Sequence, residues 1–320
     1  MSSSDDSPMA RLPPNLVSVF TQALKSYQIS NATFRVLCSL THPSLSSAAP
    51  AEPPTLHPPQ TPLKSLLVLD SSFNPPTLAH QRMALSALLD HGQSDSDKKH
   101  ASRVLLLLAI NNADKAPKPA AFPQRLAMMY IFAQDLLRSS TSELTQQHQH
   151  QHQHSDSRCE AVDIAVTTEP YFHAKAHAIA ASEFYRDPEQ VYLTGFDTLI
   201  RIFNPKYYAP GGMAASLDPF FARSRLRVTM RTDAEWGDAE AQRAYVAALR
   251  EGELQRVGGR TEWVERIEMV EGRKGGEEVV SSTKVREAVR RRDWEALKRL
   301  VSEDVAGWIR EEGLYAEEST

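Results

Sequence analysis

Cysteine is scarce in this sequence, and long apolar stretches are missing. Only Cys38 and Cys159 occur among 320 residues, without any Cys-x-x-Cys pair. The sequence therefore predicts neither a disulfide framework nor a zinc site, and a reducing compartment is the default expectation. The longest strongly apolar run, residues 104–110, is too short to span a bilayer and is typical of a central strand buried on both faces.

An excess of positive charge is also lacking, since 36 Lys and Arg face 40 Asp and Glu, for a net charge of −4. No global basic field would recruit nucleic acid, and the basic run at 284–299 is interleaved with acids, as on a solvated helical face. Neither a P-loop nor a Gly-x-Ser-x-Gly elbow is present. The N-terminal residues lack the basic and apolar segments of a secretory signal. We expect an intracellular protein, cytoplasmic or nuclear, with neither nucleic acid nor a membrane as partner.

Predicted strands and helices alternate along the chain. Strands are predicted at 66–69, 103–109, 162–167, 191–194, 226–230 and 266–270. Helices are predicted at 78–90, 123–138, 173–185, 198–203 and 234–250, with a closing helical block at 283–312. This alternation predicts an α/β fold with a doubly wound, mostly parallel sheet, whose ligands bind beyond the C-terminal ends of the strands.

The chain divides into a main domain and two flanking segments. Residues 1–62 form an N-terminal extension with a disordered start, a helix and a short extended piece in 16–40, and a Pro- and Ser-rich linker. The domain spans 63–315 and a tail spans 316–320. Within the domain, 139–158 is a low-complexity insertion with His148, His150, His152 and His154 alternating with Gln. Such a tract binds metal adventitiously, but a surface loop is favoured because nothing nearby supplies a rigid shell.

The stretch 66–80 carries the strongest functional signal. It is typical of a buried strand, a tight polar turn and the start of a helix, which together direct N–H groups and a helix dipole at one spot suited to phosphate. His80 falls in the first turn of that helix and Thr77 about one turn earlier. Both side chains can donate to a phosphoryl oxygen whose charge grows during transfer.

A second signal is the segment 280–286, Val-Ser-Ser-Thr-Lys-Val-Arg. Two hydroxyl residues precede a predicted helix, whose free N–H groups can hold an anion, and Arg286 lies one turn in with a fork suited to phosphate. Taken alone, this pattern is an ordinary helix N-cap.

Weaker candidates also follow predicted strands, and each has a plainer interpretation. Asp197, after Gly195, either accepts both hydroxyls of a ribose or caps the next helix. Tyr171 and Phe172 either stack on a flat heterocycle or belong to the core. The remaining candidates bind anionic substrate or are ordinary loop or surface residues: Lys115, Lys118 and Arg125.

The segment 71–80, Ser-Ser-Phe-Asn-Pro-Pro-Thr-Leu-Ala-His, resembles the first motif of the nucleotidyltransferase superfamily. Ser281-Ser-Thr-Lys-Val-Arg286 resembles its last motif, some two hundred residues on. Thr77, where the superfamily often has His, is similar to the eukaryotic nicotinamide mononucleotide adenylyltransferases, and the whole pattern looks closest to their fungal branch. Ser71 departs from the family's Gly, and we expect it to crowd the phosphate loop.

The resemblance implies a Rossmann-like nucleotidyltransferase domain that transfers adenylyl from ATP to nicotinamide mononucleotide, with Mg²⁺ accompanying ATP. His80 and Thr77 are the implied catalytic residues, and Gly195 and Asp197 the ribose site. The implied ATP and phosphate contacts are Ser72, Phe73, Lys115, Ser281, Ser282, Thr283 and Arg286. The implied pyridine-nucleotide contacts are Tyr171, Phe172, Lys118 and Arg125.

Two alternative functions stay open at this point. One is adenylyl or cytidylyl transfer to another phosphorylated acceptor. The other is an ATP-binding regulatory protein that has lost transfer, which Ser71 favours and the presence of His80 and Arg286 opposes. A homo-oligomer is likewise neither indicated nor excluded by the sequence.

Overall fold

The computed structural model describes the chain in eight stretches. They are residues 12–41, 54–94, 102–111, 119–148, 159–208, 212–231, 236–272 and 278–316.

Seven strands of the described residues form one sheet, with strand order β1-β4-β3-β2-β5-β6-β7. The strands are Phe34–Thr41 (β1), Ser65–Asp70 (β2), Ser102–Ala109 (β3), Cys159–Thr167 (β4), Glu189–Gly195 (β5), Ser224–Thr229 (β6) and Ile267–Val270 (β7). All neighbouring pairs are parallel except β1 with β4. The predicted α/β, doubly wound sheet is confirmed.

Helices cover both faces of this sheet. They are Leu16–Gln28 (α1), Leu78–Ser94 (α2), Phe122–His148 (α3), Phe172–Ala181 (α4), Phe196–Ile202 (α5), Gly212–Arg223 (α6), Ala239–Ala248 (α7), Leu254–Arg256 (α8), Ser282–Arg290 (α9), Trp294–Leu300 (α10) and Glu303–Glu311 (α11). A π-turn, Leu249–Glu253, joins α7 to α8. The last three helices confirm the predicted C-terminal helical block. None of the described helices combines the length and the apolar character that crossing a membrane requires.

The core has two layers because successive strand residues point to opposite faces of the sheet. Leu67 and Leu69 of β2 contact the layer under α1, α2, α3 and α9–α11, whereas Leu66 and Val68 contact the layer under α4–α7. The continuous apolar run in β3 is buried on both faces, as its composition predicted.

The N-terminal residues contribute to this core. Helix α1 buries Leu16, Phe20 and Leu24, and β1 pairs with the β4 edge. The helix and the extended piece predicted in residues 16–40 are therefore present: α1 packs on the sheet and β1 is its edge strand. The division of the chain at residue 62 stays a prediction.

Two segments differ from the predictions. The loop predicted from residue 139 is wrong over 139–148, because α3 continues to His148. No Gly or Pro follows Arg138 before His148, and extending an existing helix costs little. Residues 149–158, with the rest of the His tract, lie outside the described residues. Helix α6, which contains Pro219, was not predicted, and burial of Leu217, Phe220 and Phe221 supports it.

Candidate active site

Two cavities open at the C-terminal edge of the sheet, where the strand order reverses between β2 and β5. The first cavity, about 600 Å³, extends between β5, β6 and the start of α2. The second cavity, about 490 Å³, extends toward α3 and α4. Five residues line both, and they define the junction: Asp70, Ser71, Asp197, Thr198 and Ser282.

His80 lies beside this junction, in the first turn of α2, and lines the first cavity. The backbone N–H of Thr77 donates to His80 Nδ1 at 3.0 Å, and Thr77 Oγ1 lies 2.8 Å from the same nitrogen. Because a backbone N–H can only donate, Nδ1 carries no proton and the ring hydrogen resides on Nε2. Burial lowers the pKa of His80 to about 4, so the imidazole is neutral at pH 7.

The turn before α2 also positions the His80 ring, through the side chain of Phe73. Phe73 has a left-handed backbone with φ of 43° and a fully buried side chain. Its ring lies 5.5 Å from the His80 ring and 6.4 Å from Phe132. Phe73 lines neither cavity. The contact of Phe73 with phosphate stays a prediction, and its side chain packs against His80.

The two sequence motifs contact each other directly. Ser282 Oγ donates to the Pro75 carbonyl at 2.7 Å, across 207 residues of chain. The Arg286 guanidinium donates through Nη1 to the Asn74 carbonyl at 2.8 Å. The start of α9 and the turn before α2 thus form one unit beside the junction.

Each polar residue of the second motif has a defined place. Ser281 caps α9 by accepting the Lys284 N–H at 3.3 Å, and it lines the first cavity. Thr283 accepts from Arg286 Nη2 at 3.1 Å, and both residues line the second cavity. Ser72, from the first motif, also lines the second cavity.

The ribose candidates lie at the tip of β5. Asp197 borders both cavities, and Gly195 lines the first. A Cβ atom at position 195 would lie 2.6 Å from Asp197 Oδ1, so a glycine is needed for the carboxylate to keep its position. Arg231, just after β6, approaches the same oxygen at 3.4 Å.

Aromatic side chains line the second cavity. Tyr171 is 36% exposed, stacks on His173 at 5.7 Å and lies 6.0 Å from Tyr207. Phe172 instead packs edge-on against the buried Tyr192, and the Lys175 ammonium lies 5.3 Å from its ring centre. Of the two predicted stacking residues, Tyr171 is therefore the more accessible to a ligand.

Arg125 also lines the second cavity, and it is 5% exposed. Its Nε donates to the Ala120 carbonyl at 2.8 Å, while Nη2 is buried without a partner in the described part of the chain. Burial, together with the nearby Arg286, lowers the pKa of this guanidinium, and the nearby Tyr315 raises it. A buried donor without an acceptor marks a position for an anion. Lys115 and Lys118 lie outside the described residues.

The sequence interpretation missed three charged residues at this edge. Asp70 ends β2 at the junction and is paired with Lys175 of α4, and both side chains are almost fully buried. Arg231 contacts Asp197 from a third strand. Asp70 stands directly before the first motif and Arg231 follows a predicted strand, so both carried a local signal; Lys175, inside a helix, did not.

The comparisons with known proteins give a family. No model of a known protein family matches the chain. It is 33% identical over 248 residues to a Schizosaccharomyces pombe protein named "Putative nicotinamide mononucleotide adenylyltransferase", covering 77% of this chain and 84% of that protein.

Two solved structures of the Plasmodium falciparum nicotinic acid mononucleotide adenylyltransferase, one with NaAD and one with APC, also match. They are 13% and 12% identical, with TM-scores of 0.47 and 0.43, and each match covers 80% of this chain and 100% of theirs. By its identity to the Schizosaccharomyces pombe protein and the coverage of that match, the chain belongs to the nicotinamide mononucleotide adenylyltransferase family of nucleotidyltransferases.

Proposed function

We propose that the protein transfers the adenylyl group of ATP to nicotinamide mononucleotide, forming NAD and pyrophosphate. The observation that carries the proposal is the pair of cavities that meet at one junction beside His80. Joining two mononucleotides through their phosphates requires two adjacent sites and a shared place for the phosphates. The name of the fission-yeast relative supports this choice of reaction.

ATP occupies the first cavity in this proposal. Asp197 accepts the ribose hydroxyls at the end of β5, and Gly195 leaves room for that carboxylate. The α-phosphate lies at the junction, beside the His80 imidazole. Thr77 holds that ring in place through its contacts with Nδ1. The start of α9 borders both cavities, and in this proposal the β- and γ-phosphates extend along it from the first cavity into the second. Its N–H groups, its hydroxyls and Arg286 hold them there.

The acceptor mononucleotide occupies the second cavity. Its phosphate is doubly charged near neutral pH, and Arg125 supplies a buried donor without another partner among the described residues. Tyr171 stacks on the pyridine ring at the exposed end of the cavity.

The chemistry requires positioning rather than a covalent nucleophile. An oxygen of the acceptor phosphate attacks the α-phosphorus of ATP in line, and the bond to the β-phosphate oxygen breaks as pyrophosphate leaves. Negative charge grows on the α-phosphoryl oxygens in the transition state. A neutral imidazole with its hydrogen on Nε2 stabilises that charge by donating a hydrogen bond.

Mg²⁺ enters this reaction bound to ATP. The carboxylates at the junction are already paired, Asp70 with Lys175 and Asp197 with Arg231. In the described part of the chain, no three His, Cys, Asp or Glu side chains group into a metal site. These residues fit a metal held mainly by phosphate oxygens and water, which is a common arrangement for Mg²⁺.

The rate of NAD formation from ATP and nicotinamide mononucleotide tests the proposal. His80→Ala should lower turnover on the order of 10²–10³-fold, because it removes a donor to the developing charge. His177→Ala, at an exposed position of α4, is the matched control and should retain the wild-type rate. Equal rates for wild type and His80→Ala would remove His80 from the mechanism.

Competition among acceptors separates the alternatives. A preference for a non-pyridine acceptor, such as phosphopantetheine, would replace nicotinamide mononucleotide in the proposal. Binding of ATP in calorimetry, without pyrophosphate release with any acceptor, would favour a regulatory ATP-binding protein.

A further inference from the structure

Ser71 stands where the resembling family motif has glycine, and it lies at the centre of the site. It follows β2 directly and lines both cavities. Its hydroxyl oxygen lies 2.9 Å from His80 Nε2. The side chain that was expected to crowd the phosphate loop is therefore a hydrogen-bond partner of the proposed catalytic histidine.

The direction of this hydrogen bond follows from the contact at the other ring nitrogen, Nδ1. Thr77 N–H occupies the Nδ1 lone pair, so Nε2 is the donor and Ser71 Oγ accepts. A hydroxyl also has one hydrogen to donate. No described residue accepts that hydrogen, and Ser71 borders the junction where the phosphates meet.

We propose that Ser71 is a further catalytic residue, whose hydroxyl donates to the reacting phosphate while it accepts the hydrogen bond from His80 Nε2. His80 then acts on the phosphate through Ser71. This inference rests on the proposed function, but it replaces the direct hydrogen bond from His80 to the phosphate with one from Ser71, so that His80 becomes a positioning residue.

The step keeps every proton in place. The acceptor oxygen forms its bond to the α-phosphorus, the bond to the leaving oxygen breaks, and its electron pair departs with pyrophosphate. Ser71 and His80 retain their hydrogens and only donate hydrogen bonds. The hydrogen bond from Nε2 polarises the Ser71 hydroxyl. The hydrogen bond from Ser71 to the phosphoryl oxygen therefore strengthens as negative charge develops on that oxygen.

A direct contact between His80 and phosphate makes the opposite prediction. In that arrangement the phosphate displaces Ser71 from Nε2, so the serine hydroxyl competes with ATP. Replacing Ser71 by glycine would then leave turnover unchanged or raise it. The direction of the change in turnover on Ser71→Gly therefore distinguishes the two arrangements.

The test measures kcat and KM for ATP in wild type and in Ser71→Ala, Ser71→Gly and Ser71→Thr. Loss of the hydroxyl should lower kcat on the order of 10²-fold with KM changed by less than about threefold, since the donor acts in the transition state. Ser71→Thr keeps the hydroxyl and should recover most of the rate. Ser30→Ala, just after α1 and at a residue that lines neither cavity, is the control.

Nitrogen NMR of the His80 ring gives a readout that does not need turnover. With a non-hydrolysable ATP analogue bound, the Nε2 signal should differ between wild type and Ser71→Ala, because only wild type retains the serine partner. His80→Ala identifies the signal.

The outcomes keep the two proposals apart. An inactive wild type would reject adenylyl transfer to nicotinamide mononucleotide, and the NMR comparison would still decide the role of Ser71. An active wild type with Ser71→Gly as fast or faster, or identical Nε2 signals with the analogue bound, would overturn the Ser71 proposal.

Discussion

At the scale of single residues, the site depends on which side-chain atoms are already hydrogen-bonded within the protein before substrate binds. His80 Nδ1 is occupied by the Thr77 N–H, which leaves Nε2 to donate toward the junction. Arg286 holds the turn through Nη1 and Thr283 through Nη2. Hydrogen bonds of this kind orient donors in advance, and such preorganisation is the main source of charge stabilisation in transfer reactions.

The charge state of His80 gives a prediction at this scale. Burial lowers its pKa from 6.5 to about 4, so the ring should not titrate between about pH 5.5 and 8. As pH falls from about 6.5 toward 4, the unfolded chain binds a proton at this residue that the native state refuses, so stability falls over that window. NMR of the histidine rings against pH, with His80→Ala for assignment, measures this directly. A midpoint near 6.5 for His80 would contradict the buried, neutral ring.

At the scale of elements, a buried ion pair joins β3 to β4. Arg103 Nη1 lies 3.2 Å from Asp163, whose carboxylate also accepts from the Tyr185 hydroxyl at 3.0 Å. The side chains of Arg103 and Asp163 are 1% and 0% exposed. Without Asp163, the Arg103 guanidinium keeps the partly exposed Glu160 at 3.1 Å, but it loses its fully buried partner, and the Tyr185 hydroxyl loses its acceptor. Breaking a buried pair in this way is costly.

Asp163→Ala should therefore lower the free energy of unfolding by about 3–5 kcal/mol. The control is Arg223→Ala, because its pair with Asp187 is exposed on both sides and should contribute at most about 1 kcal/mol. Urea unfolding of both variants measures the difference. Similar losses in the two variants would show that burial of the β3–β4 pair does not matter.

At the scale of the whole molecule, the N-terminal residues complete the sheet. Strand β1 covers the outer edge of β4, and α1 packs against α3 with Phe20 and Tyr27 buried. Removing them exposes a strand edge and part of the core, both of which promote aggregation.

Deletion of residues 1–62 should consequently give a protein that aggregates or melts at a much lower temperature than the full chain. Deletion of residues 1–11, which precede the described part, leaves α1 and β1 in place and serves as the control. Solubility and thermal melting decide the point. A stable, active protein lacking residues 1–62 would make this segment a dispensable extension.

Sequence patterns predicted the features that are encoded locally, but they did not predict contacts between residues far apart in the sequence. The strands, the two motifs and the cap at Ser281 are encoded within about ten residues each, and their positions agree with the structure. The pairing of β1 with β4 and the ion pair of Asp70 with Lys175 depend on three-dimensional proximity between residues far apart in the sequence. Helix α6 was not predicted, and its buried apolar contacts offset the local penalty of Pro219. The roles of the site residues, the oligomeric state and the compartment stay predictions.

A structure of the protein with NAD bound tests the central claim most directly. The account predicts the adenosine half in the first cavity beside Asp197, the nicotinamide half in the second cavity beside Tyr171, and the diphosphate at the junction next to Ser71 and His80. NAD bound within a single cavity, or with its diphosphate away from the junction, would contradict it.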